Sequence, residues 1–184
     1  MRKRNGLAIV VIAGCLALAA DLPTLGQEFG IPQPIRTEHE ELHARIEAAV
    51  QSGGATGKAA RAVMEALAPH FEKEEKYALP QLGLLPGITG VPGAKGRELT
   101  SHEREDLIAR TERFRVELPQ MLEEHKAIGA ALQDLHRAAD AENKLEQVQL
   151  AEEIRQHAQT EEQLLYPAAL LIGEYFALKG SSAH

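Results

Sequence analysis

Cysteine, tryptophan and aromatic side chains are scarce in this sequence of 184 residues. It holds one cysteine, no tryptophan and only 4% aromatic residues. A single cysteine excludes an intramolecular disulfide and a cysteine-based zinc finger. A positive net charge is also lacking: the formal net charge is −7, whereas phosphate binding requires a basic surface. We therefore expect no nucleic acid among the partners of this chain.

The residues that are abundant are typical of helices. The sequence is 44% hydrophobic, and more than half of its residues are Ala, Leu, Glu, Gln or Arg, which favour helix formation. Glycine and proline gather in a few stretches instead of separating many short strands. This composition favours an all-α fold over a β-sandwich or barrel, and the length suits one domain of ordinary size.

The first twenty residues are typical of an export signal. A basic segment over residues 2–4 precedes an apolar stretch over 6–20, which is too short to span a membrane comfortably. We interpret residues 1–20 as an export signal, which predicts a periplasmic or membrane-anchored protein. Residues 17–19 (ALA) fit a signal-peptidase site, whereas residues 12–15 (IAGC) resemble a bacterial lipobox that would lipidate Cys15. Secretion ranks ahead because the lipobox comes early; an uncleaved anchor or a wrongly assigned start codon is the remaining alternative.

Apolar side chains then recur at three- and four-residue spacing in four segments, which predicts four amphipathic helices. The pattern predicts an up-down antiparallel four-helix bundle over residues 36–178. Pro69 and Pro167 are expected to bend the second and fourth helices, and Pro119 to kink or break the third. The predicted segments are a linker over 21–35, helices over roughly 36–51, 56–79, 99–139 and 143–178, and a flexible tail over 179–184.

A long Gly/Pro loop is predicted between helices 2 and 3, over residues 80–98. Loops of this length are usually functional or disordered. Its LGLLPGI stretch is apolar enough to lie on the bundle. We favour a lid over a linker, because the loop lies at the end of the bundle away from the two short turns.

Six polar side chains stand where the helical period requires apolar ones. Two of them are glutamates, which a bundle core rarely tolerates unless they are paired or bound to a metal. Each glutamate lies one turn beyond a histidine on the same helix face, and no Lys or Arg lies on the apolar stripes to pair with it. His43, His102, His136, Glu75 and Glu162 lie off the stripes and are expected in solvated positions. The predicted metal ligands are His39, His70, Glu74, His125, His157 and Glu161.

The motif His-x-x-x-Glu-Glu-x-x-x-x-Pro occurs twice, beginning at His70 and at His157. A lone histidine precedes each copy at a matching depth in its hairpin. His39 lies 15 residues before a turn centred near Gly54, and His70 lies 16 residues after it. His125 lies 17 residues before a second turn centred near Glu142, and His157 lies 15 residues after it. All four imidazoles are thus expected at one level, roughly 24 Å from the turns at 1.5 Å per residue. The two hairpins are predicted to be copies related by a pseudo-two-fold axis.

Two metal ions fit this predicted set of ligands. Imidazole suits iron and other first-row ions, and a carboxylate can bridge two ions. Two octahedral ions together have about twelve coordination positions. Four histidines would fill about four of these positions, two bridging glutamates about four more and one bridging oxygen about two. About two coordination positions then remain open. An open site predicts small-molecule binding or redox chemistry, not a closed structural site. The residue types alone also permit manganese or zinc.

The order of these ligands resembles the hemerythrin-like (HHE) family of cation-binding domains, over about residues 36–178. That family carries a lone His, a His-x-x-x-Glu, a second lone His and a second His-x-x-x-Glu on successive helices. Residues 79–85 (LPQLGLL) and 164–169 (LLYPAA) are also similar to those of bacterial members. The resemblance implies two iron ions with bridging carboxylates and an oxo or hydroxo bridge. It implies O2 binding in true hemerythrins, and sensing, iron handling or redox protection elsewhere.

Two positions depart from the hemerythrins proper. Those proteins carry a fifth histidine one turn after the third-helix histidine, where this chain has Gly129. Their second carboxylate is an Asp at the fifth position after His, where this chain has Glu161 at the fourth. Reversible O2 carriage in the strict sense is therefore not implied. His43, one turn after His39, is a candidate fifth ligand, although its position favours solvent or a supporting role.

Three functions compete at this stage. The first is a di-iron protein that binds O2, NO, peroxide or iron itself, for sensing, storage or redox protection. The second is a di-iron oxidoreductase that turns over peroxide or NO. The third is a metal-free bundle that docks a partner through the apolar loop. Tyr77 and Tyr166 follow the two motifs and are candidates to line the site, although an ordinary core position is the commoner outcome.

Overall fold

The computed structural model describes residues 30–92, 96 and 98–181, and every regular element in these residues is helical. The predicted all-α class is thus confirmed. The predicted export signal and the linker up to residue 29 lie outside the described residues. The helices are α1 (Gln33–Gln51), α2 (Gly54–Lys73), α3 (Leu85–Thr89), α4 (Ser101–Ala141), α5 (Leu145–Thr160) and α6 (Tyr166–Ser181), with a 3-10 helix at Leu79–Leu84 and π-helical turns at Glu74–Ala78 and Glu161–Leu165.

Four long helical stretches make up the bundle. They are α1, α2 with its π turn, α4, and α5 continued through the second π turn into α6. Helix α1 packs against α2 and α5, and α4 packs against α2, α5 and α6. No helix in the described part of the chain is both long and apolar enough to cross a membrane.

Local sequence explains where these helices begin and end. Helix α1 begins at Gln33, three residues before the predicted start, directly after Pro32. It ends at a turn in which Gly53 has a φ of 68°, a conformation that glycine adopts without steric cost. Helix α4 begins with a capping box, in which the Thr100 hydroxyl and the Glu103 carboxylate each accept a backbone N–H of the other residue.

Helix α4 is one continuous helix of 41 residues, and Pro119 does not break it. Proline removes a backbone donor from a helix and crowds the carbonyl four residues earlier. Pro119 is exposed, so water can satisfy the freed carbonyl of Arg115 on the outside of the bundle. The predicted alternative of a break at this position is therefore wrong.

The two π turns change the apolar pattern that follows them. Each begins at the first glutamate of a His-x-x-x-Glu-Glu motif. A π turn holds an extra residue compared with an α turn, so side chains beyond it move to a different face of the helix. An uninterrupted helical period predicts Leu164 and Leu171 on the apolar face of the fourth helix, and this prediction is wrong, since these side chains are 64% and 70% exposed. The buried positions are instead Tyr166, Ala169, Ile172 and Phe176.

Two short helices, the 3-10 helix and α3, fill the first half of the segment predicted as a Gly/Pro loop. The 3-10 helix packs against α6. Its side chains Leu79, Leu82 and Leu84 are buried in the apolar core. The apolar LGLLPGI stretch therefore lies on the bundle in large part, as expected from its composition.

The apolar core consists of two clusters, one on each side of a polar layer. The first cluster contains Leu42, Ile46 and Leu135 and lies toward the two short turns. The second contains Leu79, Phe114 and other residues toward the opposite end. The six predicted metal ligands lie between the two clusters along the helices, so apolar side chains shield them from both ends.

The two short turns are fastened to each other by a pair of charged residues. The Glu142 carboxylate, after α4, accepts hydrogen bonds from the Ala55 backbone N–H (2.7 Å) and the Thr56 hydroxyl (2.7 Å). It thereby caps the N-terminus of α2, where the helix dipole favours a negative charge. The Lys144 ammonium donates to the carbonyls of Ser52 (3.0 Å) and Gly53 (3.1 Å) after α1.

We predict that Glu142→Gln destabilises the protein in a pH-dependent manner. Hydrogen bonds from Lys144, Thr56 and the Ala55 backbone lower the pKa of Glu142 to about 2, against an ordinary value of 4.5. A carboxyl group with a lowered pKa stabilises the fold fully above its unfolded pKa, and this stabilisation is lost as the pH falls toward the folded value. The melting temperature of the variant should be below wild type at pH 7, and the difference should shrink between about pH 4.5 and about 2.

The matched control is Glu65→Gln, which removes an exposed carboxylate from the middle of α2. Its melting temperature should follow the wild type across the same pH series. A difference for Glu142→Gln that is equally large at pH 7 and pH 2 would contradict the proposed capping role.

Candidate metal centre

The six residues predicted as metal ligands all lie in the buried polar layer. Their side chains are between 0% and 6% exposed. Neighbouring elements present them to one another: α1 contributes one histidine, α4 another, and the two motif-bearing stretches contribute a His and a Glu each. The residues are His39, His70, Glu74, His125, His157 and Glu161.

The potential ligand atoms of this layer form two groups. One group joins His70, Glu74, His125 and Glu161, and the other joins His39, His157 and Glu161; within each group the atoms lie within 4.8 Å of one another. Glu161 belongs to both groups, so its two carboxylate oxygens face two different places. Each group could hold a cation, and the Glu161 carboxylate would then lie between the two positions.

The Nε2 atoms of all four histidines face the two glutamates. His70 Nε2 lies 3.3 Å from Glu74 Oε1, and His157 Nε2 lies 2.9 Å from Glu161 Oε1. His39 Nε2 lies 3.4 Å from Glu161 Oε1 and 3.9 Å from Glu74 Oε2. His125 Nε2 lies 3.5 Å from Glu161 Oε2. Ligands on adjacent corners of an octahedral ion are about 3 Å apart when each metal–ligand distance is about 2.1 Å, so these separations suit a first-row ion.

Each histidine also has a glutamate outside the layer, near its other ring nitrogen. His70 Nδ1 is hydrogen-bonded to Glu124 (2.9 Å) and His125 Nδ1 to Glu162 (2.8 Å). An outer carboxylate that accepts from Nδ1 fixes the tautomer and leaves the Nε2 lone pair free for a metal.

The other two histidines have outer glutamates at somewhat longer distances. His157 Nδ1 lies 3.1 Å from Glu38, and His39 Nδ1 lies 3.5 Å from Glu75. Both are ion-pair contacts, and His39 Nδ1 has no hydrogen-bond partner. Each of the four histidines therefore has an outer glutamate near its Nδ1 atom.

The second glutamate of each motif, which was expected in a solvated position, also contacts the polar layer. Glu75 and Glu162 do face outward, with side chains 47% and 41% exposed, but each contacts a histidine of the layer. Glu38 and Glu124 were also missed. Each directly precedes a lone histidine in the sequence. The recurrence of this Glu-His pair on two helices was the sequence feature that could have indicated these outer glutamates.

Tyr166 also reaches the centre, a role that the sequence left open against an ordinary core position. Its hydroxyl donates a short hydrogen bond to Glu74 Oε1 and lies 3.4 Å from Nε2 of both His70 and His125. The ring stacks on His125 with a centroid distance of 5.7 Å. Tyr77, the other candidate, lies outside the centre beside Lys76 and Arg113.

The remaining histidines named in the sequence are at the surface. His43 is 46% exposed and lies 3.6 Å from Glu47, and His102 is 73% exposed and lies 3.6 Å from Asp106. His136 is exposed on α4. His43 is therefore not brought to the centre as a fifth histidine.

Charges in the layer are unevenly distributed. Burial, together with the charge of Glu161, raises the pKa of Glu74. Burial acts in the same direction on Glu161, but close contacts with His125, His157 and His39 hold the pKa of Glu161 well below its ordinary value. Burial would lower the pKa of His157, yet the interactions with Glu161 and Glu38 raise it to about 9. In the absence of a bound cation, these shifts favour a protonated His157 beside an ionised Glu161.

The layer leaves polar atoms without partners, which is the mark of a site that binds something. Glu74 Oε2 and His157 Nε2 are buried and lack a hydrogen-bond partner. Such atoms carry a desolvation cost of about 1–3 kcal/mol each. The ion-pair partners of Glu74 and Glu161 are histidines, which are uncharged when they bind a metal. A cation would therefore satisfy both the unpartnered atoms and the carboxylate charge.

An all-helical fold and a buried cluster of potential metal ligands define a helical cation-binding domain. A family model described as Hemerythrin HHE cation binding domain matches residues 30–169. The match covers well over half of the 184 residues, and the chain belongs to this family. No curated protein and no solved structure matches the chain.

We predict that Glu124→Gln and Glu162→Gln weaken metal binding without removing a ligand. An amide accepts a weaker hydrogen bond from Nδ1–H than a carboxylate does, so the imidazole becomes less basic and less well oriented. Loss of such outer partners typically lowers metal affinity by about 10–100-fold. Competition of each variant with a chelator of known affinity, at fixed pH, measures the change.

Glu123→Gln is the control for this comparison, because Glu123 is adjacent to Glu124 in sequence but is 64% exposed and pairs with Lys126. Its metal affinity should equal that of the wild type. If all three variants retain wild-type affinity, the outer glutamates do not support the histidines.

Proposed function

We propose that this protein binds two iron ions between its histidines and glutamates and uses the pair to bind O2 or a related small ligand, or iron itself. The observation that supports this proposal is the pair of adjacent ligand groups that share Glu161 in a buried layer. One group would hold an ion between His70 and His125, and the other between His39 and His157. Bound iron would supply reversible redox chemistry and a coordination position open to O2, NO or peroxide.

The choice of iron rests on the resemblance to the hemerythrin-like family, because the donor set by itself also permits manganese or zinc. Four imidazoles and two carboxylates combine the ligands of non-haem iron, whereas manganese favours oxygen ligands. Helical bundles that hold two irons use glutamates and histidines projecting inward from facing helices. An oxo or hydroxo bridge between the ions would complete the coordination that the protein leaves unfilled.

An up-down antiparallel topology would allow this ligand arrangement. Short connections join α1 to α2 and α4 to α5, and short connections favour antiparallel neighbours. The contacts of α1 with α2 and α5, and of α4 with α2 and α5, agree with such an order. In this topology each hairpin contributes one lone histidine and one His-x-x-x-Glu motif.

Export remains part of the proposal. The signal predicted for residues 1–20 and the similarity to bacterial members would place the iron pair outside the cytoplasm, secreted or attached to a membrane through Cys15. The mature N-terminus of the expressed protein separates these routes. An N-terminus near Ala20 supports secretion, lipid incorporation at Cys15 supports a lipoprotein, and an intact N-terminus contradicts both.

We predict two irons per chain after aerobic, iron-supplemented expression, with losses that depend on the residue replaced. Glu161→Ala should lose both ions because Glu161 belongs to both ligand groups, and Glu74→Ala should lose at least one. His136→Ala, an exposed histidine of α4, should retain two. Metal content by mass spectrometry, with protein concentration by amino-acid analysis, measures the ratio. Equal metal content in all three variants, or no stoichiometric metal in the wild type, would refute the centre.

A second measurement separates binding from turnover. The reduced, iron-loaded protein is exposed to O2 and then to low oxygen pressure, and its near-ultraviolet absorption is followed. Bands that appear and disappear reversibly support a binding protein. Multiple turnovers of peroxide or NO would instead indicate that the protein is a di-iron oxidoreductase.

A further inference from the structure

One polar side chain makes the two halves of the centre unequal. Nine residues after its histidine, the first motif has Leu79 and the second has Tyr166. Both are buried, at 0% and 1% exposure. Both lie just beyond a π turn that begins at a glutamate of the centre. The repeat therefore puts an apolar side chain at one copy of this position and a phenol at the other.

The phenol oxygen lies among three ligand atoms of one group. It contacts Glu74 Oε1 closely and is 3.4 Å from Nε2 of both His70 and His125. These are close to the distances of about 3 Å expected between neighbouring ligands of one octahedral ion. Stacking on His125 and an edge-on contact with Phe114 (centroids 5.3 Å apart) hold the ring in place.

We propose that the Tyr166 oxygen is a further protein ligand, at the ion held by His70 and His125. This inference rests on the proposed di-iron function. The six His and Glu ligands with a bridging oxygen leave about one open position on each ion, and Tyr166 fills one of the two. The remaining open position, where a small ligand would bind, then belongs to the ion held by His39 and His157.

Features on the other half of the centre agree with this assignment. The unpartnered buried atoms Glu74 Oε2 and His157 Nε2 are on the His39–His157 side. His39 lines one surface groove and His157 lines another. These grooves bring the protein surface close to that half of the centre, while Tyr166 covers the other half.

Coordination of Tyr166 would replace its phenol O–H bond with a bond from the phenolate oxygen to the ion. The phenol O–H bond breaks, an oxygen lone pair binds the ion, and the proton leaves to solvent with no change in oxidation state. A bound cation dominates the local charge and favours the deprotonated form of a ligand, and tyrosine is a known oxygen ligand of iron in proteins.

The test is the visible spectrum of the full chain loaded with ferrous iron and oxidised in air. A phenolate bound to iron(III) gives a charge-transfer band in the visible region, with tyrosine ring modes in its resonance Raman spectrum. We expect this band in the wild type and its complete loss in Tyr166→Phe, with two irons per chain in both.

The chain has three tyrosines, which provide two matched controls. Tyr77→Phe and Tyr175→Phe should keep the full band. If Tyr166→Phe does not hold iron, a band that survives in both controls still assigns the phenolate to Tyr166, and a band lost in either control overturns the assignment.

The outcomes separate this inference from the function on which it rests. A wild-type protein with two irons per chain and no phenolate band overturns the tyrosine ligand and leaves the di-iron proposal intact. A wild-type protein that takes up no iron overturns both.

Azide tests where the open position lies. Titrated into the oxidised wild-type protein, azide should add its own iron charge-transfer band while the tyrosine modes keep their intensity. A loss of tyrosine modes in proportion to bound azide would show that azide replaces the phenolate, and would overturn the open position at the His39–His157 ion.

Discussion

The contact of two buried glutamates with four imidazoles is the constraint to which the rest of the bundle is adapted. Glu74 and Glu161 are almost fully buried, and an isolated buried carboxylate costs several kcal/mol. Apolar clusters on both sides of the layer supply the burial that offsets this cost. The imidazoles stabilise the carboxylates only in part, since Glu74 Oε2 remains without a partner. Such a layer is retained in a stable core when a bound cation completes it.

The π turns change which side chains of each motif-bearing stretch face the core beyond the buried glutamate. A regular helix places residues three, four and seven positions apart on one face, which would align Leu164 with Glu161. The extra residue of the π turn brings Tyr166 to the core instead and leaves Leu164 exposed. The same turn after Glu74 brings Leu79 to the core. Wide turns of this kind are frequent at functional sites, and here both coincide with the proposed ligands.

The helical period and the residue types were sufficient to predict the all-α class and the six inward-facing polar residues. His39 stands between the apolar positions of α1, and a histidine there is conspicuous against Leu42 and Ile46. The shift at Glu161 could not be read from the same period, because local sequence does not mark a π turn. The outer glutamates were missed because the contact of Glu38 with His157 joins residues far apart in the chain, and a single helix face does not reveal it.

The outer glutamates also connect the two halves of the bundle. Glu162 contacts His125 within the packed pair of α4 and the α5–α6 stretch, whereas Glu124, next to His125 on α4, contacts His70 on α2. Glu38 on α1 in turn contacts His157 on α5. Each pair of helices thus helps to orient a histidine of the other, and a displacement of one pair would disturb proposed ligands on both sides. On the proposed assignment, a single phenol at Tyr166 would make the two ions chemically different, and a pair of unlike ions could take up one small ligand at a defined end.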